Sequence, residues 1–345
     1  MNKFHYLAIV AAGAMTLVGC SNDEIISSSE NSRAIGFNAM ANKTGRADVT
    51  TNNIERFRVF GCTMDNGTTA NHATIFNNVT VSRTMEPLGD WGYTNTQYWA
   101  PNKDYYFVAI STNVGAPKWT YTVPESHDTN LQVGDNFKGY GTVTMDVSEI
   151  GAGNDLVYSF ASRATDATIT DASKVSFTFY HMLSRIGMKF TNGIETAGYT
   201  FKISNVKIKN IAKSGSVDLG ADPANITWNS GTEKIEIGIV VPDNNEATQN
   251  ASVETSEHKY IIPGTQELSV SFDVEVFLKN VSYSKRSLEG TIASKEYKPG
   301  VSYMLNASIT ADNIVPGGAK PIEFTVSSVN GWGTDEDSDI TIKNE

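Results

Sequence analysis

The sequence predicts an all-β protein composed of two β-sandwiches in tandem. Short segments with apolar residues at alternate positions recur between clusters of turn residues, which is the pattern of half-buried strands. No long segment shows the 3.6-residue apolar period of an amphipathic helix. Thr, Ser, Asn, Val, Ile, Tyr and Phe are abundant beside 28 glycines, and the 345 residues suffice for two domains of about 100–200 residues each.

Composition and charge narrow the functional classes. With 40% hydrophobic and 19% charged residues, the chain can bury a core and differs from disordered polyampholytes. The 27 basic and 38 acidic residues give a net charge of −11, which argues against a nucleic-acid partner because phosphate contacts need a basic face. Two cysteines are too few for a disulfide-dense scaffold.

The first 20 residues have the pattern of a secretory signal, with a positive charge at Lys3 before an apolar run. That run, Leu7 to Val18, is shorter than the roughly 20 residues that a membrane-spanning helix needs. It ends in Leu17-Val18-Gly19-Cys20, which resembles the lipobox of bacterial lipoproteins. We therefore expect residues 1–20 to be a lipoprotein signal with Cys20 as the lipidated residue; the alternative is an ordinary signal peptide with a chance cysteine.

Residues 21–33 form a polar, Ser-rich linker. It begins with the acidic Ser21-Asn22-Asp23-Glu24, which is either a surface-export signal or a simple tether. If Cys20 is lipidated, Cys62 has no cysteine partner left within the chain. Cys62 lies in a strand-like run, and a buried thiol is favoured there over a nucleophile.

In the first half, alternation predicts a strand at Ala34–Met40 with Ile35, Phe37 and Ala39 on its inner face. The apolar run Tyr105–Ile110 is typical of a central strand buried on both faces. Other strands are predicted at Arg56–Met64, Ile75–Ser82, Lys118–Val123, Gly141–Val147 and Leu156–Phe160.

The polar segment Ala161 to Ser173 separates this set from a second one, so we expect a domain of residues 34–170 followed by one of residues 171–345. A change of spacing in the second set predicts a bulge near Ser204-Asn205. Short helical pieces are possible at Leu131–Lys138 and Met182–Ile186. The second set has alternating strands within Lys174–Ser184, Ile186–Phe190, Tyr199–Asn210, Glu233–Val241, Ser269–Lys279, Val301–Ile309, Ile322–Val326 and Ile340–Ile342.

No catalytic motif accompanies these strands, so we expect no enzymatic activity, no cofactor and no metal site. The histidines beyond the signal are too far apart for a zinc motif, and His181 has the position of a core residue. The acidic run at Asp335 to Asp339 has no EF-hand glycine and reads as a solvated turn. A set of aromatic residues could form a sugar platform but is more typical of a core: Tyr93, Tyr98, Trp99, Tyr105 and Tyr106.

Several segments, in their order and spacing, resemble the fimbrillin-like (type V pilin and Mfa-like) lipoproteins of Bacteroidales. The resemblance covers about residues 34 to 345. Besides the lipobox, its elements are Ile35-Gly36-Phe37 followed by Thr44-Gly45-Arg46-Ala47, Tyr98-Trp99-Ala100-Pro101 with Tyr105 to Ala109, Asp155 to Tyr158, Phe179 to Ile186, Tyr260 to Pro263, and Val329-Asn330-Gly331-Trp332.

The resemblance implies two transthyretin-like β-sandwich domains on an exported outer-membrane lipoprotein. It also implies that an arginine-directed protease removes the lipidated leader with the first strand, and that a strand of another pilus subunit fills the vacated groove. Arg46 and Ala47 match the cleavage position, with Arg33 and Lys43 as weaker competitors. Ile35, Phe37 and Ala39 would then belong to the removable strand.

Two functions follow as hypotheses. The first is a structural and adhesive pilus subunit that polymerises by strand exchange after proteolysis near Arg46. The second is a monomeric cell-surface lipoprotein that binds a glycan or a host ligand. A mature chain that starts at Ala47 would favour the first, and a lipidated start at Cys20 would favour the second.

Overall fold

The computed structural model describes residues 33–41, 54–68, 72–85, 87–112, 119–122, 141–148, 155–169, 174–220, 222–223, 225–314, 322, 324–329 and 340–341. The regular structure in these residues consists of strands and one four-residue helix, which confirms the all-β prediction.

The strands follow in chain order and are numbered here: β1 (Phe37–Ala41), β2 (Arg56–Asp65), β3 (Ala73–Ser82), β4 (Lys103–Thr112), β5 (Trp119–Thr122), β6 (Thr142–Asp146), β7 (Leu156–Ala164), β8 (Val175–His181), β9 (Ser184–Asn192), β10 (Tyr199–Ala212), β11 (Ser214–Asp218), β12 (Trp228–Ser230), β13 (Lys234–Gly238), β14 (Glu246–Ala247), β15 (Ser252–Glu254), β16 (Lys259–Ile261), β17 (Gly264–Leu278), β18 (Val281–Tyr297), β19 (Ser302–Ile309), β20 (Phe324–Val329) and β21 (Ile340–Thr341). The helix α1 spans Ala311–Ile314.

The first sheet has six strands in the order β1-β8-β7-β4-β2-β3. Its neighbours pair antiparallel except at one edge, where β1 runs parallel to β8. The first strand of the sequence is therefore an edge strand. Among the described strands it pairs with β8 alone.

Three further sheets hold the rest of the chain. A four-stranded sheet has the order β12-β11-β6-β5, and a five-stranded sheet has β13-β10-β17-β18 with β14 beside β10. The last sheet runs β15-β9-β19-β20-β21, with β16 paired to β9 and with β9 parallel to β19.

Buried side chains form two clusters. The aromatic cluster lies on one face of the first sheet, and half of its members are aromatic: Ile35, Phe37, Ala39, Ile54, Phe57, Val59, Phe76, Val81, Trp99, Tyr105, Phe107, Ala109, Val157, Val175, Phe177 and Phe179. The aliphatic cluster is larger and is centred on the inward residues of β9, β10, β17 and β19: Ile186, Met188, Phe190, Phe201, Ile203, Val206, Ile208, Ile211, Leu268, Val270, Phe272, Val274, Val276, Tyr303, Leu305, Ala307 and Ile309.

Strand β4 contributes to both clusters. Tyr105 and Phe107 point into the aromatic cluster, whereas Val108 and Ile110 point into the aliphatic cluster. Because successive side chains of a strand point to opposite faces, a strand between two cores must be apolar at every position. The prediction of a central strand buried on both faces is confirmed.

The expected division between residues 170 and 171 falls between β7 and β8, which are neighbours in the first sheet. Strand β8 completes that sheet because Val175, Phe177 and Phe179 fill the aromatic cluster. A second link joins the two sides of this division, since β6 pairs antiparallel with β11.

Two local predictions can be judged directly. The bulge is confirmed, since the register of β10 against β17 shifts between Ser204 and Lys207, and Asn205 has a φ of 50°. The helical piece at Met182–Ile186 is wrong: Ser184 opens β9, whose short apolar run has the same pattern as a buried helix segment. The other suggested helix, Leu131–Lys138, lies outside the described residues, in which no helix is long and apolar enough to cross a membrane.

Candidate functional site

The candidate site is the slot that holds β1. Of the residues singled out in the sequence, Cys20, Arg46 and Ala47 lie outside the described part of the chain. Ile35, Phe37 and Ala39 lie within it, at the edge of the first sheet. Their relative exposures are 1%, 1% and 6%, so all three side chains are buried. The intervening Asn38 is exposed, which gives this segment one apolar and one polar face.

Backbone hydrogen bonds hold the segment on two sides. On one side, the N–H of Val175 donates to the carbonyl oxygen of Gly36 at 2.8 Å, and the parallel register pairs Phe37 with Val175. On the other side, the N–H of Ile35 donates to the carbonyl oxygen of Gln97 at 2.8 Å. The N–H of Trp99 in turn donates to the carbonyl oxygen of Arg33 at 2.9 Å.

Residues 91–99, which we call the strap, connect the two edges of the first sheet. At one end, Gly92 and Ser82 of β3 exchange two backbone hydrogen bonds of 2.9 and 3.0 Å. At the other end, Tyr98 forms a β-bridge with Ala34. Residues 33–41 therefore fill a slot, called the β1 slot, in which β8 pairs with β1 and the strap pairs with residues 33–35.

A tyrosine side chain of the strap also contacts this backbone. The Tyr93 hydroxyl donates to the carbonyl oxygen of Ile35 at 2.7 Å and accepts from the N–H of Gln97 at 3.2 Å. Partial burial raises the pKa of Tyr93, so its hydroxyl remains a donor at neutral pH.

The Phe37 ring is surrounded by other rings. It stacks on Phe177 with a centroid distance of 5.7 Å and an interplanar angle of 14°. Burying such a side chain contributes roughly 1.5–3 kcal/mol, and each favourable aromatic pair adds about 0.5–1.5 kcal/mol. An empty slot would expose this apolar lining. Four further rings meet Phe37 edge-on at 5.4–6.3 Å: Phe57, Phe76, Tyr93 and Phe107.

Two of the aromatic residues considered as a sugar platform are core residues, as the sequence favoured. Trp99 and Tyr105 are buried and pack edge to face at 4.7 Å. Tyr98 is the exposed member of the set. The predicted core position of His181 is also confirmed, and its Nδ1 lies 2.5 Å from Oδ2 of the buried Asp155.

The remaining chemistry is structural in character. Burial raises the pKa of the Cys62 thiol to about 12, so the thiol is protonated at neutral pH. Within the described residues, no group of three or more His, Cys, Asp and Glu side chains is arranged to hold a metal ion. The acidic run at Asp335 to Asp339 lies outside them.

Sequence reasoning missed two side-chain contacts. Tyr93 lies 58 residues from Ile35, and Asp155 lies 26 residues from His181. Neither pair has a local pattern that links its members. The short spacing of Tyr93 and Gln97, which share a hydrogen bond, was the available signal of an ordered strap.

Comparison with known proteins gives one family match. The model of the family described as "Fimbrillin-like" matches residues 45–332. Among solved structures, a "putative cell adhesion protein" of Bacteroides uniformis is similar, with 17% identity, a TM-score of 0.47, and coverage of 87% of this chain and 98% of that chain. The fimbrial anchor protein Mfa2 of Porphyromonas gingivalis has 12% identity and a TM-score of 0.38, with the same coverages. No curated protein sequence matches significantly.

Proposed function

Because this chain belongs to the fimbrillin-like family, we propose that it is an adhesive subunit of a type V-like pilus and assembles by exchanging its first strand. It is exported as a lipoprotein, is anchored in the outer membrane through Cys20, and faces the medium. An arginine-directed protease then cuts after Arg46, and the partners are other subunits of the same or a related kind.

The placement of β1 carries this proposal. Strand β1 supplies buried side chains to the aromatic cluster from the edge of a sheet, and among the described strands it pairs with β8 alone. An edge strand can leave without breaking the pairing of the strands behind it. Its departure would leave unpaired backbone groups and an apolar slot, which is costly until another strand fills it.

The sequence around β1 explains why a cut would matter. On its C-terminal side, β1 is joined to the rest of the protein through residues 42–53, which include Arg46. While this connection is intact, β1 competes for its slot at a high effective concentration. A cut after Arg46 converts β1 into a separate segment, which a strand of another subunit can then replace.

A cut at the competing Arg33 would not release β1, because Ala34 to Ala41 would stay attached to the body of the protein. The backbone there is also paired: the Arg33 carbonyl accepts from Trp99, and the Ile35 N–H donates to Gln97. Proteases need an accessible, extended segment, so this pairing protects the bond after Arg33. Arg33 therefore offers a matched control for Arg46.

The test compares Arg46→Ala with Arg33→Ala after treatment with an arginine-directed protease. We expect both the wild type and the Arg33→Ala protein to start at Ala47 after the cut and to form detergent-resistant ladders. The Arg46→Ala protein should remain a lipidated monomer. Mass spectrometry gives the start of the chain, and gel electrophoresis gives the ladders.

Polymerisation of Arg46→Ala at the wild-type rate would refute cleavage as the trigger. A lipidated Cys20 start in all protein released from cells would favour the alternative, a tethered monomer that binds a glycan or a host ligand.

A further inference from the structure

We infer that the β1 slot selects its incoming strand by a five-residue pattern: an aliphatic residue, glycine, an aromatic residue, a polar residue and a small residue. This inference rests on the proposed strand exchange and names the kind of strand that can take part. The resident strand shows the pattern at Ile35, Gly36, Phe37, Asn38 and Ala39.

The aromatic position is the most demanding. The Phe37 ring stacks on one ring and meets four others in edge-to-face pairs. An aliphatic side chain at this position would lose the stacked and edge-to-face aromatic contacts, and alanine would leave a cavity. Two residues later, Ala39 is buried in the same cluster, so the side chain that fits there is small. The slot therefore distinguishes the order large-then-small from the reverse.

The glycine position is restricted by Lys174, the residue that precedes β8. A Cβ at Gly36 would lie 3.0 Å from Cγ of Lys174, so that side chain would have to shift. The ammonium group of Lys174 also pairs with Asp90 at 3.3 Å. Because the lysine is flexible, alanine is tolerated better than a β-branched residue. Glycine is the residue that leaves Lys174 in place.

Tyr93 controls the register. Successive carbonyl groups of a strand point to opposite sides, so a shift by one residue turns the Ile35 carbonyl away from the Tyr93 hydroxyl, which donates to it at 2.7 Å. A shift by two residues restores a carbonyl at that place but moves the aromatic side chain out of its ring of partners. Tyr93 thus excludes odd shifts, and the Phe37 position excludes even shifts.

A peptide exchange experiment tests this selectivity. The full-length protein is cut after Arg46, and the cut is confirmed by mass spectrometry. A fluorescent peptide with the sequence of residues 33–41 is then added, and its uptake is followed by anisotropy. The matched control peptide has the residues at positions 37 and 39 interchanged, which keeps its composition and its apolar alternation.

We expect the interchanged peptide to bind at least tenfold more weakly than the resident sequence, and a peptide with Gly36→Val to bind several-fold more weakly. On the protein side, Tyr93→Phe should weaken the resident peptide about tenfold. Tyr283→Phe, a change of an exposed tyrosine in β18, outside the slot, should leave its affinity unchanged.

Equal uptake of the resident and interchanged peptides would overturn the inferred pattern while strand exchange itself stands. Equal effects of Tyr93→Phe and Tyr283→Phe would overturn the role of Tyr93 in the register. If no peptide enters the cut protein and the protein also forms no ladders, the inference and the proposed function both fail; ladders without uptake of the resident peptide overturn the inference alone.

Discussion

Strand β1 and the hairpin of β17 and β18 both complete a hydrophobic cluster, but they are held in different ways. Strand β1 has five residues and, in the part of the chain that the structure describes, one neighbouring strand. Strands β17 and β18 have 15 and 17 residues, pair antiparallel over nearly their full length, and are joined by Lys279 and Asn280. Strand β17 also pairs with β10 on its other side.

The difference supports the proposal that β1 is the strand that is exchanged. The hairpin contributes side chains such as Val270 and Phe272 from a strand paired on both sides, so it cannot leave without disrupting its sheet. Strand β1 contributes Phe37 to a similarly dense cluster from an edge, with a five-residue ladder. The aromatic cluster is therefore the one that the proposed strand exchange would open.

Substitution of one phenylalanine in each cluster gives the largest expected effect. Phe37→Ala and Phe272→Ala each remove a buried ring, and we expect each to lower the free energy of unfolding of the uncut protein by about 3–5 kcal/mol. Phe272 is the matched control because it also packs on another ring, that of Phe190 at 4.7 Å. Urea unfolding measures both changes.

Proteolysis should separate the two variants. Once the protein has been cut after Arg46 and the free strand removed, the cost of Phe37→Ala should vanish, because the residue is no longer part of the molecule. The cost of Phe272→Ala should persist. If Phe37→Ala costs less than about 1 kcal/mol in the uncut protein, β1 does not support the aromatic cluster as the contacts indicate.

The sequence predicted the buried faces of the strands better than it predicted which strands pair with each other. Alternation at Ile35, Phe37 and Ala39 indicated an inward face, and the structure places these three side chains in the aromatic cluster. Apolar alternation with a period of two does not specify the neighbouring strand, so the parallel pairing of β1 with β8 could not be predicted. The polar segment before β8 suggested a domain boundary although β8 continues the first sheet.

For the candidate site, too, the sequence predicted buried residues but not the contacts between distant segments. Trp99 and Tyr105 were assigned to the core from their position beside an apolar strand. The hydrogen bond from Tyr93 to Ile35 depends on the path of the strap between two sheet edges, which no local pattern encodes. The cleavage position at Arg46 rests on sequence resemblance and remains a prediction.

Cys62 provides a probe of whether the loss of β1 spreads through the first sheet. In β2, Phe57 and Val59 face the aromatic cluster, while Phe60 faces the aliphatic cluster and contacts Tyr121 at 4.0 Å. Cys62 alternates with the same phase as Phe60, so its thiol lies on the side of the sheet away from the β1 slot.

The reactivity of this thiol should be low and independent of cleavage. Alkylation requires the thiolate, and a pKa raised to about 12 leaves the thiol protonated at pH 8. We expect iodoacetamide to label Cys62 in the folded protein more than a hundredfold more slowly than in urea, with a rate that rises about tenfold per pH unit below that pKa. Mass spectrometry of the protein before and after cleavage gives both rates. Rapid labelling after release of β1 would show that β2 loosens with it.

Glycine substitutions have the smallest expected effects. Their opposite signs in the hairpin and in β1 test the comparison between the two. Lys279 and Asn280 connect β17 to β18 with φ values of 48° and 66°, the left-handed region that a two-residue hairpin turn requires. Lysine is strained there, so Lys279→Gly should stabilise the protein by about 0.5–1 kcal/mol. Asn38→Gly, at an exposed position inside β1, should destabilise the uncut protein by about the same amount because glycine adds backbone entropy to the unfolded chain. Asn280→Gly is the control with a smaller gain, since asparagine tolerates the left-handed region.

If both Lys279→Gly and Asn38→Gly destabilise the protein in urea unfolding, the turn is not held in the conformation that closes the hairpin. If Asn38→Gly has no effect before cleavage, the β1 backbone is not ordered by its slot. The comparison between an exchangeable strand and a permanent hairpin would then not hold for β1.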